Sequence, residues 1–302
     1  MSLTFRSLHP LFAAEASPLD LRTVEDAETL AAIRQGMHEH AVLVFRDQRL
    51  DDASQLAFAQ RLDGTLHSKT GISAMTGNRF GNEALTDISN LDESGEVLPA
   101  DDRRRQYGLA NRLWHTDASF VDPPGRYSLL SARAIAPEAP PTEFADMRAA
   151  WDALDPARQA LLEPLQAHHS IAYSRQVLGF EFSAEEAEKL KGVVQPLVRT
   201  NPVTGRKALY LASHVSRILD WSLPEGRLLL LDLMEHATQS RHVYSHQWRT
   251  GDLVIWDNLQ TMHRARPFDD TRQKRDLRRV TTLAVPPGAA SNAAGNTVHP
   301  GG

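Results

Sequence analysis

The apolar residues of this chain come in short bursts rather than long runs. Ala41-Val-Leu-Val-Phe45, Tyr127 to Ile135, His242 to Trp248, Leu253 to Trp256 and Val280 to Ala284 have the length and the β-branched or aromatic content of strands. Turn signals, Arg249-Thr-Gly-Asp252 and Pro267-Phe-Asp-Asp270, separate the later ones. Helical spacing interrupts them. Val24, Ala27, Leu30, Ile33 and Met37 mark one helix, and Asp52 to Leu62, Met147 to Leu154 and Pro156 to Leu165 read as others. Ser222-Leu-Pro-Glu225 is a capping box that opens a helix through about His236. Short strands spread along a chain with helices inserted predict a mainly β fold, a jelly-roll barrel carrying a helical insert. A doubly wound sheet is disfavoured because no Gly-rich phosphate fingerprint follows a strand.

At 302 residues the chain can bury a sizeable core. We read residues 1–285 as a single domain and 286–302, rich in Pro, Gly, Ala and Asn, as a disordered tail. There is no cysteine, which excludes a disulfide scaffold, a thiolate nucleophile, an iron–sulfur cluster and a Cys-type zinc site. Any metal must be held by His, Asp or Glu. The net charge of −5 disfavours a nucleic-acid partner, and the seven basic residues between Arg264 and Arg279 are interleaved with Asp269, Asp270 and Asp276. No apolar run approaches the roughly 18 residues needed to span a bilayer. Met1 to Pro10 lacks the pattern of a secretory signal, so the sequence reads as a soluble, cytoplasmic protein with no membrane partner.

One tripeptide carries chemistry. Trp114-His115-Thr116-Asp117 places a His and an Asp two apart, and in a strand such residues project from one face. His263, in Leu259-Gln-Thr-Met-His263, is the candidate third ligand. Two His and one carboxylate on one side of a metal leave open positions, the arrangement of non-haem Fe(II) oxygenases.

With these residues in place, the chain resembles the Fe(II)/2-oxoglutarate-dependent dioxygenases of the taurine and 2,4-dichlorophenoxyacetate (2,4-D) type. The pattern of that family falls, in order and once each, on His115, Asp117, Thr142, His263 and Arg275. Further matches include Val42-Leu-Val-Phe-Arg46, Asp87-Ile-Ser-Asn90, Thr142 to Ala150, Trp256-Asp-Asn258 and Asp276 to Thr282, and they resemble the 2,4-D branch most. The resemblance implies a double-stranded β-helix (cupin-like) core. It also implies Fe(II) on His115, Asp117 and His263, with 2-oxoglutarate and O₂ as co-substrates. Arg275 and Thr142 would hold the far carboxylate of 2-oxoglutarate, with Asn111 close to co-substrate and metal. Arg279 aligns with the position that takes the substrate's anion, Ser119 would be a second donor, and Ile88 would lie near the substrate. The family commonly forms homo-oligomers, so one is expected here.

The implied reaction is hydroxylation of a small carboxylate substrate beside an ether oxygen. For an aryloxyacetate such as 2,4-D the product collapses to a phenol and glyoxylate, with release of succinate and CO₂, a herbicide-degrading activity. An alkyl sulfonate, as in taurine, or a natural aromatic acid would suit Arg279 equally well. The chain departs from the 2,4-D branch at Ile72 and Glu96, where that branch carries lysines, and the loop from His67 to Asn78 is placed near the pocket. A non-catalytic barrel or a zinc hydrolase would need neither Arg275 nor Thr142.

Other features have plainer readings. His38-Glu-His40 ends a predicted helix, where i and i+2 diverge by about 200° and do not chelate together. His168, His169, His242 and His246 read as structural or pocket-lining. Trp114, Trp248 and Trp256 read as core, Arg103-Arg104-Arg105 as a solvated loop or one that draws anionic substrates toward the pocket, and Asp276 and Arg278 as surface charges.

Overall fold

The structure, a computed structural model, describes residues 3–68, 79–136 and 138–285. The expected tail, and residues 69–78 of the expected pocket loop with Ile72 among them, lie outside the described residues. A seven-stranded sheet runs in the order Thr4–Ser7, Ala14–Ser17, Val42–Phe45, Leu253–Asp257, Gly125–Ile135, Arg275–Leu283, Leu85–Asp87. Only the Ala14–Ser17 and Val42–Phe45 pair is parallel. A three-stranded antiparallel sheet places Thr142–Asp146 between Val243–His246 and Thr261–Ala265.

The central strands are apolar on both faces because both faces are covered. Val42, Val44, Leu130, Val254, Trp256 and Leu277 point inward and pack with Phe144, Tyr244 and Trp248 of and beside the small sheet. The alternate residues Leu43, Phe45, Leu129, Leu253, Ile255 and Val280 point outward, under the helices Ala27–His40 and Asp52–Asp63. Those two helices begin where the sequence lets their first amide N–H groups be satisfied: Asp26 accepts from Thr29 N at 2.7 Å, and Asp51 forms a reciprocal capping box with Ser54.

Between the strands Thr142–Asp146 and Val243–His246 lies the helical insert. The helices Met147–Asp152, Pro156–Leu162 and Leu223–Ala237 enclose a separate apolar cluster with the short strands 198–200, 207–209 and 215–218. Ser222 caps Leu223–Ala237 by accepting from Glu225 N, but its hydroxyl donates to the Glu225 carboxylate. The expected reciprocal bond to the backbone is therefore replaced by a side-chain contact. The expected elements are present, with ends shifted by a few residues. The strand expected to begin near Lys274 and to run through Val280 spans Arg275–Leu283. Two readings change. Arg103–Gly108 is a short helix rather than a loop. Asp276 is buried between Arg79 and Arg278, and Arg278 also reaches Asp52, so neither is an ordinary surface charge.

Gly125 opens the longest strand where it passes the segment carrying His115 and Asp117. A Cβ there would sit 2.8 Å from the Asp117 carbonyl oxygen and 3.1 Å from Thr281 Cγ2. Gly125→Ala should therefore displace the Asp117 segment, lowering thermal stability by about 1–3 kcal/mol and weakening metal affinity in parallel. A calorimetric melt and a Mn(II) titration of the same variant check both.

Candidate metal centre and the cavity around it

His115 and His263 meet through backbone pairing. His115 N donates to His263 O at 3.0 Å and His263 N to His115 O at 2.8 Å, which puts the two rings 4.2 Å apart by centroid. Beyond His115 the expected strand does not continue: residues 117–120 form a turn, with Ala118 at a positive φ of 52°. Asp117 nevertheless reaches the histidines, Oδ1 lying 3.8 Å from His115 Nε2 and Oδ2 3.6 Å from His263 Nε2. One ligand atom from each of the three residues lies within 4.8 Å of the others, and all three residues are buried.

The donor set suits a divalent iron or manganese ion. His115 Nδ1 faces the Leu113 carbonyl at 2.8 Å, and a carbonyl only accepts, so Nδ1 carries the proton and Nε2 keeps its lone pair. Burial pushes the His115 pKa down to about 4, and burial beside His115 pushes His263 well below its ordinary value, so both rings are neutral at pH 7. Burial alone would raise the Asp117 carboxyl; the Arg279 guanidinium, with the two histidines, outweighs it and holds the group ionised well below the usual carboxylate range.

Residues behind the triad hold it. Ser128 Oγ donates to Asp117 Oδ2 at 2.8 Å, and Asn258 Oδ1 accepts from Asp117 N at 3.1 Å. Asn258 also takes the Trp256 Nε1–H bond at 2.9 Å, and the Trp256 ring lies 4.6 Å from that of His263. Trp256 is thus core, as expected, and also the backing of a ligand.

His115 and Asp117 border a cavity of about 200 Å³. Arg275, Arg279, Asn111 and Ile88 line it, and with Thr142 and His263 they also line a smaller cavity beside it. Arg275 and Arg279 both face in, although a bulge at Asp276/Leu277 lies between them. Arg275 is 6% exposed, stands over the Phe268 ring at 5.6 Å and has no carboxylate partner among the described residues. Burial lowers its pKa to about 10, so it remains a cation at pH 7. Asn90 fixes its start, accepting from Arg275 N at 2.9 Å while donating to the Asp270 and Gln273 carbonyls. Thr142 Oγ1 accepts from Trp248 Nε1 at 2.9 Å, which leaves the threonine's own O–H free to donate.

Ser119 departs from expectation. Its backbone lies in the turn after Asp117, its side chain is fully buried with no hydrogen bond, and it is absent from the cavity lining. Glu96, at a position where the 2,4-D branch differs, is on the surface and paired with Lys274 at 2.8 Å. Among the cavity residues that the sequence reading missed are Tyr107, Arg112, Phe120, Ile171, Arg175 and His214. These six lie on short helices, turns or loops without motif spacing. Arg105 also enters the lining, and with Arg112 it clasps Asp270 at 2.7 and 3.0 Å. His168 is half-buried, whereas His169, His242 and His246 are buried away from the triad, and the His38 and His40 rings make separate contacts.

The model of the family "Taurine catabolism dioxygenase TauD, TfdA family" matches residues 4–281, and the chain belongs to that family. Over 284 residues it is 43% identical to the alpha-ketoglutarate-dependent 2,4-dichlorophenoxyacetate dioxygenase of Cupriavidus pinatubonensis, covering 94% of this chain and 98% of the relative. It is 33% identical to the (S)-phenoxypropionate/alpha-ketoglutarate-dioxygenase of Delftia acidovorans, covering 85% and 87% of the two chains. The crystal structure of AAD-2 in complex with Mn(II) and N-oxalylglycine superposes with a TM-score of 0.89 at 46% identity, covering 94% and 98% of the two chains. The chain is accordingly a 2-oxoglutarate-dependent non-haem Fe(II) dioxygenase, which uses iron(II), 2-oxoglutarate and O₂. No helix among the described residues is long and apolar enough to cross a membrane.

Because Asn258 holds both Asp117 and Trp256 in place, Asn258→Ala should lower Mn(II) or Fe(II) affinity by on the order of tenfold or more. Metal titration of a variant shown by circular dichroism to be folded measures this.

Proposed function

We propose that the protein hydroxylates an aryloxyacetate such as 2,4-D beside its ether oxygen, yielding the phenol and glyoxylate with release of succinate and CO₂. The observation that carries the reading is the convergence, at two adjoining cavities, of the buried His115–Asp117–His263 set with a buried guanidinium, Arg275, that lines both and that no carboxylate among the described residues neutralises. Support for the substrate class comes from the relatives named above. The sheets described fit the two faces of a double-stranded β-helix, and we assign residues 1–285 to one such domain.

His115, Asp117 and His263 would hold the iron, with His115 offering the Nε2 lone pair that its Nδ1–H bond to Leu113 leaves free. Iron(II) with 2-oxoglutarate and O₂ supplies the oxidising equivalents when bound. Arg275 takes the distal carboxylate of 2-oxoglutarate in a charge-assisted pair, and the free hydroxyl proton of Thr142 adds a second donor. Asn111 borders both cavities and would lie near co-substrate and metal. Arg279 orients the substrate's acid group, and its pairing with Asp117 ties that role to the metal site. The ring of the substrate lies against Tyr107, Phe120 and Ile171, an apolar wall that favours an aromatic acid over an alkyl sulfonate. Ile88 lines both cavities.

Purified protein with Fe(II), ascorbate, 2-oxoglutarate and 2,4-D should release succinate and dichlorophenol in equal amounts. Succinate with alkyl sulfonates but not with any aryloxyacetate would overturn the substrate assignment. Arg275→Gln should raise KM for 2-oxoglutarate by about tenfold or more while leaving KM for the acid nearly unchanged.

A further inference from the structure

Every arginine of the cavity wall except two is already matched to a carboxylate. Arg79 meets Asp87 and Asp276, Arg104 meets Asp102, Arg105 and Arg112 share Asp270, Arg266 meets Glu143, and Arg279 meets Asp117. Among the described residues the exceptions are Arg275 and Arg175. The first is accounted for by the co-substrate. Arg175 is 5% exposed, so its charge has been taken out of water without a counter-ion.

What holds Arg175 is neutral. Nη1 donates to Ser174 Oγ at 2.9 Å, and the guanidinium stands over the Tyr107 ring at 4.6 Å. Nε is enclosed with no partner, and Nη2 makes no hydrogen bond among the described residues. Ser174 is fully committed: its single proton goes to the Ile171 carbonyl at 2.8 Å, and it accepts from both Arg175 and the Nδ1–H of His214 at 2.9 Å. The side chain is therefore fixed with donors to spare. Arg175 also stands close enough to Asp117 and Arg279 for their charges to act on it.

We propose that Arg175 is a specificity-determining residue that shares the substrate's acid group with Arg279, the carboxylate lying between the two guanidinia while the ring packs on Phe120 and Ile171. The proposal rests on the reading that the cavity accepts a small organic acid. A guanidinium already stacked and buried loses little further freedom on binding, so an acid gains affinity there that a neutral analogue does not.

The test uses the Fe(II)- and 2-oxoglutarate-loaded protein under nitrogen, titrated calorimetrically with 2,4-D and with its neutral methyl ester, and parallel steady-state kinetics in air. Arg175→Met should weaken 2,4-D binding and raise its KM by about tenfold or more, leave ester binding within twofold of wild type, and leave KM for 2-oxoglutarate unchanged. Arg175→Lys should recover part of the loss. Unchanged acid affinity in a folded Arg175→Met variant, or equal losses for acid and ester, would overturn the proposal. Should Arg175→Met fail to fold, Arg175→Lys decides: a severalfold loss for the acid alone supports the clamp, and no loss overturns it. Failure of the wild type to release succinate with any aryloxyacetate sinks the substrate assignment instead, and is told apart because the titration reads Arg175 without turnover.

Discussion

The two backbone hydrogen bonds between His115 and His263 are the contact on which the rest of the site depends. They join a segment outside the sheets to the edge of the small sheet, and so fix two ligands at once from elements 148 residues apart in sequence. Asp117 then needs only a turn to bring its carboxylate to both rings, and that turn is pinned from behind by Asn258 and Ser128. Side chains on exposed loops would have to be ordered on metal binding. Here the ordering is part of folding, and the entropy cost is met by the same pairing and core packing that hold the sheets together.

Electrostatics divides the cavity into neutralised and unneutralised cations. The chain is acidic overall, with a net charge of −5, yet arginines dominate the cavity wall. Most are held at the rim by local carboxylates, as in the clasp of Arg105 and Arg112 on Asp270, and those pairs shape the entrance without favouring any ligand. Affinity for anions is concentrated where a guanidinium is buried and unpaired. Desolvation makes such a cation costly in the empty protein and strongly attractive to a carboxylate that arrives with its own hydrogen-bond acceptors.

The reaction was legible in the sequence because its residues sit at fixed spacings on or beside strands: His115 and Asp117 two apart, Arg275 twelve after His263, Arg279 four later. The strands themselves showed as short apolar runs because both faces of the main sheet are covered. Ser119 was misplaced for the same reason that Asp117 was found: the spacing rule assumes an extended strand, and Ala118 in the left-handed region breaks it. Arg175 and His214 left no trace, since their role comes from a helix of six residues and a loop brought against the triad by the insert. The Arg103–Arg105 run was visible as charge, but only its contact with Asp270 shows that it frames an opening.

These differences follow a division of labour in the fold. The groups we assign to metal and co-substrate hang from the two sheets and from the pairing between them, where register is set by many hydrogen bonds and a displaced residue disturbs its neighbours. The groups we assign to the substrate wall come from Arg103–Gly108, the turn at Phe120 and Ile171–Gln176, short elements tied down by an aromatic cluster of Tyr107, Phe120, Phe180 and Phe182. Such elements can change their side chains without altering strand register. The oxidising centre is therefore the constrained half of the site and the substrate wall the adaptable half, which is why a cation specific to this wall, Arg175, is the place where substrate preference would be written.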